Sequence, residues 1–151
     1  MKITVEEIKG ITETEIIVKC GKADAKIEEL LSLLRFYDDT ITGKKNGILH
    51  IIRPDEIYYI DTVDDKVFIY TEKEVYEADL RLYEITERFE KVGLIRINKS
   101  TVVNLMKIKK INSVLNGKIK AVLANNEAVL VSRQYVAQLK EKLGIGGGKK
   151  G

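Results

Sequence analysis

Residues Phe89 to Leu105 read F-E-K-V-G-L-I-R-I-N-K-S-T-V-V-N-L, and the rest of the chain is best read outward from them. Gly93 punctuates the stretch, and Leu94 to Ile97 is a short apolar run carrying Arg96. Polar and basic groups then gather at Asn98, Lys99, Ser100 and Asn104, set among small apolar residues. Asparagine and lysine both hydrogen-bond base edges, and a serine hydroxyl reaches a phosphate or a base. The same residues also suit a plain turn, with Asn98 bonding its own backbone and Asn104 capping. We read Asn104 as a cap and Lys99 as a binding group.

Downstream, Lys109 to Leu115 and Lys118 to Leu123 have strand character. Asn116-Gly117 between them is a hairpin dipeptide, since both positions favour positive φ. Asn125-Asn126 turns the chain into Ala128 to Val131. Ser132 is placed to cap a last helix whose buried face holds Val136, Leu139 and Leu143. Arg133 then falls in the first helical turn, where the helix dipole disfavours a cation. That placement points to a task, such as a bidentate contact to guanine O6 and N7. The alternative is an arginine lying over the core with its head in water. The tail Gly144 to Gly151 reads as mobile, with no role in the fold.

Upstream, Asp79 is placed to cap a helix running to Phe89, with Leu82, Ile85 and Phe89 on one side. Ile48–Ile52, Glu56–Ile60, Lys66–Thr71 and Glu74–Ala78 read as strands. Pro54 interrupts the ladder, and Asp61 to Asp65 is a solvated turn. Gly43 to Gly47 is a turn or short linker. Before it, Lys2–Ile8 and Glu15–Cys20 alternate as short strands do, and Asp24 is placed to cap a helix. Ile27, Leu30, Leu31 and Leu34 share one face of that helix, and Leu33 and Phe36 widen it. A stripe this broad has to pack on the main domain or on a second copy of the chain. The expected layout is a small α/β extension over 1–42, a mainly β domain over 43–145, and a tail over 146–151.

The composition, 44% hydrophobic and 32% charged over 151 residues, is that of one globular domain with room for a small extension. No apolar run nears the ~18 residues that span a membrane. Met1 to Glu7 lacks a signal-peptide core, so the expected location is the cytoplasm. Cys20 is the single cysteine and is read as a small core residue; His50 is the single histidine and is read as facing solvent or a polar partner. One of each makes no zinc site, so no metal or cofactor is expected. Nothing groups a nucleophile with a base, and no glycine-rich loop opens a helix, so an enzyme is not expected. Charge is segregated instead. Gly47 to Glu90 holds five Lys/Arg and twelve Asp/Glu, whereas Arg96 to Lys142 holds ten and two. Either the basic half faces a polyanion, nucleic acid first among them, or the two halves attract each other across a solvated surface.

The blocks I-R-I-N-K-S-T-V-V-N-L-M-K-I and V-L-V-S-R-Q-Y-V-A-Q-L-K, with the earlier I-Y-Y-I-D-T and L-R-L-Y-E-I-T-E-R-F, resemble the signature of the LytTR DNA-binding domain from about Ile48 to Leu143. The resemblance implies an elongated antiparallel β fold with few short helices. Loops, rather than a recognition helix, would enter successive major grooves of promoter DNA at paired repeats and bend it. It implies a bacterial transcription regulator that pairs as a homodimer on double-stranded DNA. The short stretch before the domain implies the stand-alone kind, whose extension would dimerise or meet an unidentified sensor protein. By position, Lys66 marks a first DNA-facing loop, Asn98-Lys99-Ser100 a second and Arg133 a third. Arg96, Lys107 and Lys109 would contact phosphates. Asn98-Lys99 stands where the family often has His-Arg or His-Asn, which implies a different set of bases. Without specific DNA binding, the chain would be a protein-interaction or dimerisation module.

Overall fold

The structure, a computed structural model, describes residues 1–145, so the expected tail over 146–151 lies outside the described residues. Ten strands and three α-helices form in it. They are α1 (Ala25–Asp39), β1 (Ile41–Lys45), β2 (Ile48–Ile52), β3 (Ile57–Val63), β4 (Lys66–Thr71), β5 (Val75–Ala78), α2 (Leu82–Phe89), β6 (Leu94–Arg96), β7 (Thr101–Asn104), β8 (Ile108–Ser113), β9 (Ile119–Leu123), β10 (Ala128–Val131) and α3 (Arg133–Leu143). Every strand pairing is antiparallel. A seven-stranded sheet runs β2-β1-β5-β4-β3-β7-β6, and a three-stranded sheet runs β10-β9-β8.

Successive side chains of a strand point to opposite faces, and around β3, β7 and β6 the large sheet is covered on both. Leu94 and Val102 join the core that α2 closes with Leu82, Ile85 and Phe89, over Ile60 and Ile69. Their neighbours Ile95 and Val103 join a second core, formed with Ile119, Ala121, Leu123 and Val131 of the small sheet and Leu139 of α3. The run Thr101-Val102-Val103-Asn104 is therefore buried at every position. A strand covered on both faces reads as continuously apolar. Each fully buried Ile or Leu here contributes about 1.5–3 kcal/mol relative to an exposed one.

The turns follow the sequence closely. Asn46-Gly47 joins β1 to β2 and Asn116-Gly117 lies between β8 and β9, all four residues at positive φ. Gly93 ends the segment after α2 at φ 106°. Other expectations are corrected. Gly43 to Lys45 belong to β1, and only Asn46-Gly47 turns. Strand β3 runs through Asp61 to Val63, leaving Asp64-Asp65 as the turn, again at positive φ. Asp79 does not cap α2; Arg81 occupies the cap position, and its N–H donates to the Glu84 carboxylate at 2.9 Å.

The extension departs furthest from expectation. Asp24 does cap α1, accepting from the Ile27 N–H at 3.2 Å. Lys2–Ile8 and Glu15–Cys20 form no strands, because no neighbouring strand supplies ladder partners. Cys20 is exposed rather than in the core. The stripe on α1 buries no residue, and Leu33 and Phe36 stay exposed. Arg88 of α2 holds the end of α1, donating to Thr40 O at 3.1 Å with its guanidinium 4.7 Å from the Tyr37 ring centroid. His50 is half-buried and lies 4.9 Å from the Tyr76 ring.

Candidate nucleic-acid interface

The β6–β7 connection is a tight loop. Ile97 N donates to Thr101 O at 3.0 Å, which leaves Asn98-Lys99-Ser100 at the tip. The Asn98 side chain shapes it from within, its Oδ1 accepting from Ser100 N at 2.8 Å. This is the self-bonded Asx turn to which asparagine is suited. Asn98 also looks outward, since its Nδ2 donates to Leu130 O at 2.9 Å. Ser100 Oγ is spent locally on Asn98 Oδ1 at 3.2 Å. Lys99 is left as the exposed member of the three.

Two further loops are fastened to this one. On one side, Thr62 N donates to Ser100 O at 2.8 Å and Thr101 Oγ1 donates to Asp61 Oδ1 at 2.9 Å. These bonds hold the β3–β4 hairpin, with Asp64-Asp65 at its tip and Lys66 just beyond, against the central loop. On the other side, Ser132 N donates to Ile97 O at 2.9 Å. Ser132 sits at the N-cap of α3 but makes no side-chain cap bond, so its backbone serves to dock the helix start on the loop. Lys66, Lys99 and Arg133 thus come from three segments, are all exposed, and stand on adjoining loops.

The β8–β9 turn completes the edge. Gly117, at φ +75°, lies under the Arg133 stem; a Cβ there would fall 2.9 Å from Arg133 Cδ. The exposed Lys118 follows directly. Between the β3–β4 hairpin, the central loop and the connection from β5 to α2 lies an open groove of about 420 Å³. Lys66, Arg81, Arg96, Lys99 and Ser100 border it together with Asp65, Glu77 and Asp79, so its charge is mixed. The sequence reading missed Arg81 and Gly117. Gly117 was visible as a turn residue, but only tertiary packing puts it beneath Arg133.

The remaining candidates are placed differently. Arg96 folds back on the central loop, donating through Nε to Asn98 O at 3.0 Å and through Nη2 to Lys99 O. Lys107 and Lys109 stand at the start of β8, beside the Asn125-Asn126 turn. Ala124 N donates to Lys107 O at 2.8 Å, Lys107 Nζ lies 4.9 Å from the Tyr58 ring centroid, and Lys109 Nζ donates to Asn126 Oδ1. Strand β8 spans six residues, roughly 20 Å, and Arg133 is at its other end. Asn104 is 2% exposed; its Oδ1 caps the 3₁₀ turn by accepting from Met106 N at 3.0 Å, as expected of a cap. No cluster of metal-ligating side chains occurs among the described residues, and none of their helices is long and apolar enough to cross a membrane.

Comparison with known proteins identifies the family. The family model of the LytTr DNA-binding domain matches residues 48–144. A sensory transduction protein LytT of Enterococcus faecalis is 29% identical over 97 residues, which is 64% of this chain and 40% of that protein. An HTH-type transcriptional regulator of Staphylococcus aureus is 27% identical over 136 residues, 89% of this chain and 92% of that one. Among solved structures, the LytTr DNA-binding domain of a Bacillus cereus protein described as a methyl-accepting/DNA response regulator superposes with a TM-score of 0.67 at 23% identity. It covers 71% of this chain and 98% of its own. With the mainly β architecture, the ordered loops and a family match over well over half its length, this chain belongs to the LytTR DNA-binding domain family.

Proposed function

We propose that this protein is a cytoplasmic transcriptional regulator that binds double-stranded promoter DNA through the loop edge carrying Lys66, Asn98-Lys99-Ser100 and Arg133. One observation carries the reading: three loops distant in sequence are hydrogen-bonded side by side, through Thr62 N to Ser100 O and Ser132 N to Ile97 O, and each presents an exposed cation. Exposed cations on adjoining loops complement the negative charge of a duplex backbone. Arg133 has the bidentate fork that recognises guanine, and Lys99 has donors for base acceptors or phosphate. Asn98 and Ser100 serve mainly to hold the loop, since their side chains are already bonded within the protein. Paired repeats would seat two copies, with the homodimer forming on DNA.

Titration with random-sequence duplex at two salt concentrations tests the reading. Each phosphate contact steepens the fall of log affinity with log salt by about 0.9. Selection of bound duplexes from a random pool should then recover a repeat. Absence of binding at low salt would overturn the proposal. It would favour instead a protein-interaction module built on the exposed Ile48, Leu49 and Ile51 of edge strand β2.

A further inference from the structure

We infer that Arg96 is a positioning residue: it sets the shape of the Asn98-Lys99-Ser100 loop instead of contacting a phosphate. This rests on the DNA-binding reading of that loop. Arg96 is the last residue of β6 and pairs with Val102 across the hairpin. From there its guanidinium reaches over the loop. Nε donates to Asn98 O at 3.0 Å and Nη2 donates to Lys99 O. The next carbonyl, Ser100 O, accepts from Thr62 N at 2.8 Å. All three successive carbonyls of the tip are therefore bonded inside the protein, two of them by one side chain.

The arrangement has two physical consequences. A three-residue tip has few internal hydrogen bonds, so its conformation depends on whatever fastens its backbone. The planar fork of an arginine fixes two acceptors at once in one geometry, which a lysine ammonium on a flexible stem does not. In addition, carbonyl oxygens facing a polyanion would repel it. Turning two of them onto a guanidinium leaves the side chain of Lys99, the exposed residue between Asn98 and Ser100, as the group the loop offers. Preorganisation of this kind favours the duplex that fits the fixed loop over one that needs the loop to reshape, because only the first binds without further ordering cost.

Arg96→Lys separates the two roles, since it keeps the charge and loses the fork. Arg96→Ala serves as the companion variant, and circular dichroism confirms that both fold. Two quantities are measured. The first is amide hydrogen exchange at Ser100 in the free protein, whose N–H is bonded to Asn98 Oδ1. The second is the affinity ratio between the duplex recovered by selection and its scrambled form. The positioning role predicts exchange at least about tenfold faster in both variants, and discrimination reduced about tenfold in both. It also predicts a salt slope on random duplex unchanged in Arg96→Lys. The inference is overturned if Ser100 exchange is unchanged in both variants. It is equally overturned if Arg96→Lys binds like the native protein while Arg96→Ala loses about 0.9 of salt slope, the mark of a phosphate contact. Should the native protein bind no duplex, the DNA reading fails by itself, and the exchange measurement still decides whether Arg96 holds the loop.

Discussion

The stem of Arg133 lies across Gly117, with Cδ 2.9 Å and Cγ 3.1 Å from the point where a Cβ at Gly117 would stand. A residue at the start of α3 is thereby seated on the turn between β8 and β9. Gly117→Ala should push Arg133 aside, and the positive φ adds strain of about 1 kcal/mol for any L side chain. Arg133→Ala should cost about 1–3 kcal/mol on the selected DNA site and relax base preference. If Gly117 acts through Arg133, the double variant should lose less than the sum of the two, as residues in contact do. Fluorescence anisotropy on selected and scrambled duplexes measures all three.

Lys99 and Lys107 should differ in their effect on salt dependence. Lys99 is exposed at the tip of the central loop, whereas Lys107 lies near Tyr58 at the far end of β8. Lys99→Ala should lower the slope of log affinity against log salt by about 0.9. Lys107→Ala should leave the slope within error. The same titration on random duplex reads both, and a larger effect at Lys107 would move the DNA-facing surface to the other end of the small sheet.

Asn104→Ala should destabilise the fold without a direct effect on binding. Its Nδ2 donates to Ile57 O at 2.8 Å and Pro54 O at 3.2 Å, and its Oδ1 accepts from Met106 N at 3.0 Å. Truncation strands buried partners, a loss of about 1–3 kcal/mol for each group left unsatisfied. Urea denaturation should show a lower midpoint with an unchanged slope. Gly43→Ala should also destabilise, by about 1–3 kcal/mol. A Cβ there would stand 2.7 Å from Tyr76 Cβ, with Ile52 Cδ1 at 2.8 Å.

Stability should fall as pH rises past the ordinary phenol value of 10.0. Burial, then the neighbouring Glu127 carboxylate, hold the Tyr59 phenol neutral well above that value. Burial first, and then Asp61, act in the same direction on Tyr70, which stacks on Tyr59 with ring centroids 4.3 Å apart. Above the unfolded phenol's pKa the unfolded chain binds fewer protons than the folded one, so folding weakens with pH. The contribution is fully present below that pKa and is lost as pH climbs toward the raised folded values. Tyr59→Phe should flatten this alkaline limb in thermal melts taken from pH 9 upward.

The positions of most strands and turns were legible because their signals are local. Ile48–Ile52 and Lys66–Thr71 form as read, and both Asn-Gly pairs sit between strands at positive φ. The apolar faces of α2 and α3 also pack as their spacing indicates. Where reading failed, the deciding partner was remote. The alternating segments over residues 2–20 look like strands, but a strand exists only with a neighbour to accept its hydrogen bonds. Ser132 occupies a cap position, yet the bond that matters is its N–H to Ile97 O, thirty-five residues back.

The site divides in the same way. Residue types at Asn98, Lys99, Ser100 and Arg133 marked them as candidates, because donors suited to bases and phosphates gather there within short spans. Type and spacing by themselves located most strands and turns and marked which residues are suited to binding chemistry, since torsional preference, periodicity and charge are properties of neighbouring residues. Only the tertiary structure decided which candidates share a surface. It turned Arg96 inward onto the backbone of its own loop, placed Lys107 and Lys109 at the far end of a strand, and laid Arg133 over a glycine sixteen residues away. Direction and proximity depend on strand order and on sheet packing across two cores, and no short stretch of sequence contains those.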